Sequence, residues 1–439
     1  MNTQHVIIGA GVAGLAAAEA IRSRDANSPI TIIHDDPHGF YSRPGLAYYL
    51  SGEIPRRQLF PFDGNRLADL KVRTIRARAT RLDLPGRNVQ LDANQWVSFD
   101  RLLLATGSQA VRPNLPGVGL QGVVTLDNLE NADQIRKLAR RARSAVVVGG
   151  GITALELVEG LASCRMRVHY FLRGDHYWRS VLDETESDLV LERLAAEGVQ
   201  VHRRTEVVEI LEKRGKVAGV RTRDGKTLGC QIVALAVGVR PRLELVRAAG
   251  LQYDRGLAVN DYLQVPGTVG VYAAGDIAQV YDPLTGESGL DVLWNTARSQ
   301  GWAAGLNMSG SSMRYRKTPP FNVTRLAGLT TTIIGQVGGG EDIDVVALSR
   351  GESETWRHFP NALVAEDRQG LHRVRILLGP DQIMGALIIG EQALSFPLQQ
   401  LVLNRASIGP IRERLLAPGA PLQDLIIQYW KHLIRKGDL

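Results

Sequence analysis

A chain of 439 residues, 44% hydrophobic and 22% charged, has room for two or three domains with ordinary globular cores. Its two cysteines, Cys164 and Cys230, stand far apart in sequence, which argues against a disulfide framework or cysteine-rich metal centre and reads as two buried thiols. The net charge of +7 comes with no nucleic-acid-binding motif, and no uncharged apolar stretch is long enough to span a membrane.

The first element is a strand that begins almost at once, at Val6-Ile7-Ile8. A signal peptide is therefore not expected, and the chain reads as cytoplasmic. Residues 5–36 run strand, glycine-rich turn, helix, strand, the size of one βαβ unit. In Gly9-Ala10-Gly11-Val12-Ala13-Gly14 the first glycine permits the tight turn and the second lets a diphosphate approach the backbone. The third allows close helix–strand packing. Bare N–H groups at the helix start would hold phosphate charge. Asp35 or Asp36, at the end of the next strand, is placed to accept hydrogen bonds from ribose hydroxyls. Between Arg56 and Arg87 there are nine Lys/Arg against three acids. Such a stretch is either a solvated surface or a face for an acidic partner.

Residues 144–175 repeat the first plan, with Gly149-Gly150-Gly151-Ile152-Thr153-Ala154 as the second turn. Two such units imply two nucleotide-binding domains. No acid ends the second strand of this unit; Leu172-Arg173 stands there, with Arg179 six residues later. Arginines would bind a 2′-phosphate that an acid would repel, which favours NADPH over NADH; as plain surface charges they would leave NADH in use. Residues 270–280 read as a buried strand returning to the first domain, with boundaries near Pro113–Pro116 and Pro241. The domains are then 1–112 with 242–312, 113–241 inserted between them, and 321–439. The stretch 309–320 reads as a polar, proline-ended linker. Short apolar runs and two helical stretches follow, a small α+β domain. The last helix, 421–436, sets Leu422, Leu425, Ile426, Tyr429, Leu433 and Trp430 on one side. That side fits the protein's own core or a homodimer interface, with membrane docking as the other possibility.

Together these segments resemble the FAD-dependent pyridine nucleotide-disulfide oxidoreductases, with their glutathione-reductase-like pair of Rossmann folds. Leu104-Ala105-Thr106-Gly107-Ser108 and Ala236-Val237-Gly238-Val239-Arg240-Pro241 are similar to the family's two crossings between domains. Tyr272-Ala273-Ala274-Gly275-Asp276 is similar to its second FAD motif, in which the Asp bonds the ribityl chain. A nearer resemblance is to rubredoxin and ferredoxin reductases and to the FAD portion of NAD(P)H nitrite reductase. In Tyr41-Ser42-Arg43-Pro44 it implies that Arg43 and Pro44 line the FAD. Trp294, ahead of Ala297 and Gln300-Gly301, would lie by nicotinamide and flavin unless it is a core aromatic. Glu156 would sit near the nicotinamide unless it only pairs within its helix. Ala79 and Gly238 join the expected cofactor contacts.

The resemblance implies bound FAD and NADPH or NADH, hydride transfer to the flavin, and electrons passed to a ferredoxin or rubredoxin, a small acidic carrier that a basic surface would suit. Two departures bear on this. The segment Ser42-Arg43-Pro44 has no cysteine, which disfavours disulfide substrates. Tyr48 stands where some ferredoxin reductases carry a flavin-facing lysine. An NAD(P)H oxidase, a quinone reductase, or a non-catalytic flavin-bound subunit or redox sensor of a larger complex remain the alternatives. The nine histidines form no metal-ligand cluster, so no metal site is expected.

Overall fold

The computed structural model describes residues 3–62, 66–338, 348–357 and 362–439. Two five-stranded parallel sheets and a five-stranded antiparallel sheet organise them. The first runs Val271–Ala273, Arg101–Leu104, His5–Ile8, Ile30–His34, Val72–Arg76, parallel throughout. Its inner strands are continuous apolar runs because both faces are covered; Val6, Ile7, Ile32 and Ile33 are all buried. The chain leaves this sheet after Leu104 and rejoins it at Val271, with Ala273 in register with Leu104. The second sheet runs Gln200–His202, Arg167–Phe171, Ser144–Val148, Ile232–Leu235, Val123–Val124, again all parallel.

The two units repeat each other in detail. Each carries a three-stranded antiparallel sheet, over residues 79–98 in the first and 207–229 in the second. They join where Ser108–Ala110 pairs antiparallel with Val239–Pro241, so the outgoing and returning chains lie side by side. In the first unit, helix Val12–Arg24 packs on helix Trp294–Met308 at backbone distance. A Cβ on Gly301 would lie 2.1 Å from the Ala13 carbonyl oxygen, and one on Gly305 would lie 2.4 Å from that of Ala17. Only glycine fits at either position.

The antiparallel sheet near the C-terminus runs Phe321–Leu326, Leu329–Gly335, Ile383–Ile389, His372–Leu378, Leu363–Gln369. The two-residue period of a strand sends its side chains into two different cores. Ile333, Leu387 and Ile389 join the core of the second parallel unit. Ile334, Ala386 and Ile388 pack under helices Ser395–Leu403 and Leu422–Lys436. On the first face, Arg375 Nε donates to buried Glu186 at 2.8 Å, and Arg373 bridges to Asp183 at 2.6 Å. The last helix places Leu422, Leu425, Ile426, Tyr429 and Leu433 in this core, so its apolar side is filled by its own chain. No helix among the described residues is long and apolar enough to cross a membrane.

Two expectations are corrected. The stretch 309–320 is not a free polar tether. The side chain of Lys317 is 2% exposed, with its ammonium 2.9 Å from Asp282 and 3.2 Å from Asp291. Burial pulls its pKa down, but the two carboxylates outweigh this and hold it above the usual value. Cys164 is exposed, because it caps the end of helix Ile152–Ser163 and turns outward. Cys230 is buried, and burial pushes its thiol up to about 12.

Candidate cofactor site

Helices need their first N–H groups satisfied, and two helices of this chain show how that is done. Asn128 caps Leu129–Ala139, and Asp183 with Glu186 forms a capping box on Glu184–Ala196. The helices that open at the glycine turns, Val12–Arg24 and Ile152–Ser163, have no side-chain cap and no acid in the first turn. Their positive ends are left for an anion.

The first turn opens onto a cleft of about 520 Å³. It brings together Gly9, Gly11, Val12, Ala13, Asp35, Asp36, Arg43, Ala79, Ala105, Thr106, Gly107, Gly275 and Asp276, residues from six separate segments. Gly9 has φ +118°, and a Cβ there would lie 2.1 Å from the Ala105 carbonyl oxygen. Gly14 abuts the Gly9 carbonyl oxygen, at 2.0 Å from the same construction, and serves packing without lining the cleft. Gly11 is different, since a Cβ there meets nothing within 4 Å. Its half-buried backbone faces open space of the kind a diphosphate would fill. Of the two candidate acids, Asp35 accepts from Arg78 at 3.0 Å. Asp36 is engaged locally, by the Tyr41 hydroxyl at 3.2 Å and the His38 amide at 2.9 Å. Asp276 accepts from Ser108 at 2.6 Å, and the Gly275 amide donates to buried Gln300 at 2.8 Å. Pro44 does not line the cleft; it precedes the first residue of helix Gly45–Ser51.

Sequence reading named Arg43 but missed the cluster of cations it joins on this cleft. Arg43, Arg242 and Arg350 all converge on Asp127: Arg43 donates to its carbonyl at 2.9 Å, Arg242 to its carboxylate at 3.3 Å, and Arg350 to the other carboxylate oxygen. The Nε of Arg350 is buried without a partner, a donor in search of an acceptor. Arg242 and Arg350 come from segments far from Arg43 and from each other, so no local spacing could reveal them.

The second turn repeats the first. Gly149 has φ +150°, and its Cβ would lie 2.2 Å from the Ala236 carbonyl oxygen. The hydroxyl of Thr153, at the start of the helix, is buried with no partner. Glu156 lies one turn further on. Burial pushes its carboxyl up to about 8, against the pull of Arg350 and helped by Glu159. Gly238, φ +110°, accepts from the Val111 amide beside the crossing strands. Arg173 and Arg179 are exposed, and Arg179 lines a second cavity with Gly174, Asp175, His176, Leu182 and Glu184. Asp175, an acid not weighed in the sequence, lies there too and is held by Arg204 at 2.5 Å. Trp294 opens its helix and is 44% exposed. It is not a core aromatic, while Ala297 on the same helix lines the first cleft.

Residues 3–301 match the model of the pyridine nucleotide-disulphide oxidoreductase family. The chain belongs to that family. It is thus an oxidoreductase of the kind that binds FAD and NAD(P)H, and the open space at Gly11, the uncapped helices and the orphaned Thr153 and Arg350 donors fit the phosphates of such dinucleotides. Subunit epsilon of the NADH-dependent phenylglyoxylate dehydrogenase of Aromatoleum evansii is 27% identical over 434 residues, covering 98% of this chain and 99% of that protein. The ferredoxin–NAD(+) reductase component of the biphenyl dioxygenase system of Paraburkholderia xenovorans (strain LB400) is 30% identical over 355 residues, with 80% and 84% covered. In structure, this member of the family resembles a ferredoxin reductase from Rhodopseudomonas palustris, with a TM-score of 0.84 at 22% identity over 96% of this chain and 99% of that one.

Proposed function

We propose that this chain takes hydride from NAD(P)H onto FAD and passes the electrons to a small electron-carrier protein of the ferredoxin type, with no protein thiol in the relay. The observation that carries the reading is an open, uncapped glycine turn on a cleft whose lining holds no cysteine, with a second uncapped glycine turn of the same backbone across the crossing strands. FAD, when bound, supplies the hydride acceptance and the onward electron transfer.

The residues supply position and charge. The backbone at Gly11, Val12 and Ala13 would hold the diphosphate, Asp35 the adenosine ribose, and Asp276 the ribityl chain. Arg43, Arg242 and Arg350 gather three cations around Asp127 and would be placed to steady negative charge on a bound flavin. Glu156 and Trp294 would lie at the nicotinamide end. Arg173 and Arg179 favour NADPH, because the neighbouring Asp175 is already occupied by Arg204. The relatives named for NADH make the preference a matter for direct titration. The exposed Arg57, Arg73, Arg76, Arg81 and Arg87 offer an acidic carrier a complementary face. We place the reaction in the cytoplasm, and leave the last helix out of any homodimer contact because its own core fills it.

A second reading rests on the end-to-end similarity to a dehydrogenase subunit. In that reading the chain is the flavin-bearing subunit of a larger complex and delivers electrons within it. Anaerobic titration with NADPH and NADH tests both. The expected result is a yellow protein whose flavin is bleached by a stoichiometric amount of one nucleotide and reoxidised by an iron–sulfur carrier faster than by air. Rapid reoxidation by air or quinone alone would replace the carrier reading with an oxidase or quinone reductase. A folded, colourless protein that takes up no flavin would end the proposal.

A further inference from the structure

The second glycine turn is covered. A Cβ on Gly151 would lie 1.8 Å from the Ser349 hydroxyl and 2.6 Å from its Cβ. A dinucleotide brings its diphosphate to this second glycine of the motif, so Ser349 and the diphosphate claim one space. The orphaned Thr153 hydroxyl at the same turn shows that Ser349 does not satisfy the donors gathered there.

Ser349 is held in place from both sides. Before it, the Val239 amide donates to the Leu348 carbonyl at 2.8 Å, and the two side chains share a small apolar cluster with Leu290 and Val292. After it, buried Glu352 accepts from Trp178 Nε1 and the Ser180 hydroxyl, both at 3.2 Å, from Arg357 at 2.7 Å, and from the Ser349 amide itself at 2.5 Å. Trp178 and Ser180 belong to the unit of the second glycine turn, so Glu352 fastens the segment to it. Further on, the Ser353 hydroxyl donates to Asp291 and that of Thr355 to Asp282, the carboxylates that share Lys317. This last set ties the segment to the flavin unit by a fully buried charged cluster.

We propose that residues 348–352 form a strap that occupies the nicotinamide nucleotide's diphosphate place, and that NAD(P)H binds only when the strap lifts from Gly151. The inference rests on the second turn being the NAD(P)H site. The buried cluster at Ser353 and Thr355 is the fixed end, and the contacts at Leu348 and Glu352 are the latch. Apparent nucleotide affinity is then the intrinsic affinity reduced by the fraction of molecules with the strap lifted. Arg350 rides on the strap, so lifting also draws its guanidinium from Asp127 and the first cleft.

Pinning the latch tests this. Val239→Cys with Leu348→Cys places two thiols in an antiparallel bridge pair, a geometry that a disulfide can close. The oxidised double variant is expected to keep its FAD spectrum and to be bleached by dithionite. Its reduction by NAD(P)H should be at least ~100-fold slower than in the same preparation after thiol reduction. Equal rates before and after thiol reduction would overturn the strap. If wild-type flavin is bleached by dithionite but by neither nucleotide, it is the reading of the second turn that fails. Independently, Glu352→Gln should tighten NAD(P)H binding about tenfold, read from quenching of tryptophan fluorescence, because it weakens the latch without touching Gly151. Weaker nucleotide binding by this variant would mean that the segment builds the site, and would also overturn the strap.

Discussion

The two glycine turns of this chain have nearly the same backbone and opposite surroundings. Gly9 and Gly149 both take a positive φ and both press against the carbonyl of the strand-end residue, Ala105 or Ala236. Both helices start without a side-chain cap. At the next glycine they part, because Gly11 faces empty space and Gly151 faces Ser349. A short motif dictates the local turn. Whether its amides can be reached depends on which distant segment packs over it. The helices differ in the same sense: the position that is Ala16 in the first is Glu156 in the second, a carboxyl that burial holds protonated at neutral pH.

The largest effect that would break this comparison is expected at Gly11. Gly11→Val should lower flavin affinity by at least ~100-fold while the protein stays folded, since no protein atom lies within 4 Å of the added Cβ. Retention of flavin, measured by absorbance after desalting, would show that the open space is not the diphosphate site. Next is Lys317→Met, which strips the shared cation from Asp282 and Asp291. Breaking such a buried pair costs about 3–5 kcal/mol, measurable by chemical denaturation; a loss under 1 kcal/mol would mean that the cluster does not anchor the strap.

Glu156→Gln sharpens the comparison through pH. Below the usual carboxylate pKa of 4.5 the group is protonated whether the chain is folded or not. Between 4.5 and about 8 the unfolded chain gives up its proton and the folded one keeps it, so this group subtracts more stability as pH rises through that window. Glutamine removes the penalty. The variant should therefore gain in Tm over the wild type at pH 8 and show little gain at pH 5. Equal gains at both would mean the carboxyl is not held protonated. The smallest expected effect belongs to Arg179→Gln, which should raise KM for NADPH about tenfold with NADH unaffected. Parallel loss for both nucleotides would assign Arg179 another task.

Much of the first cleft was legible in sequence because its parts are local. Gly9 to Gly14, Asp35, Thr106-Gly107 and Gly275-Asp276 each sit where a strand ends, and a strand end followed by glycine has few other uses. Pro44 was misplaced for a related reason: its neighbour Arg43 reaches the cleft, while the proline ring starts a helix. Arg242 and Arg350 were not legible, since only the folded chain brings them to Asp127. The stretch 309–320 was misread because a polar run reads as solvated, and the two carboxylates that bury Lys317 lie 35 and 26 residues from it. The strap was invisible for the strongest reason. Nothing in Leu348–Glu352 carries a motif, and its meaning comes wholly from lying on Gly151.

The sheet of residues 321–389 spends both of its faces, one on its own helices and one on the second nucleotide unit. The C-terminal third is therefore no detachable appendage. A chain cut after Met308 would strip Ile333, Leu387 and Ile389 from the core of the second unit and leave buried Glu186 without Arg373 and Arg375. Attempts to trim this flavoprotein to a minimal pair of nucleotide-binding units should give insoluble material, and grafts from relatives should succeed only when that sheet travels with the surface it covers.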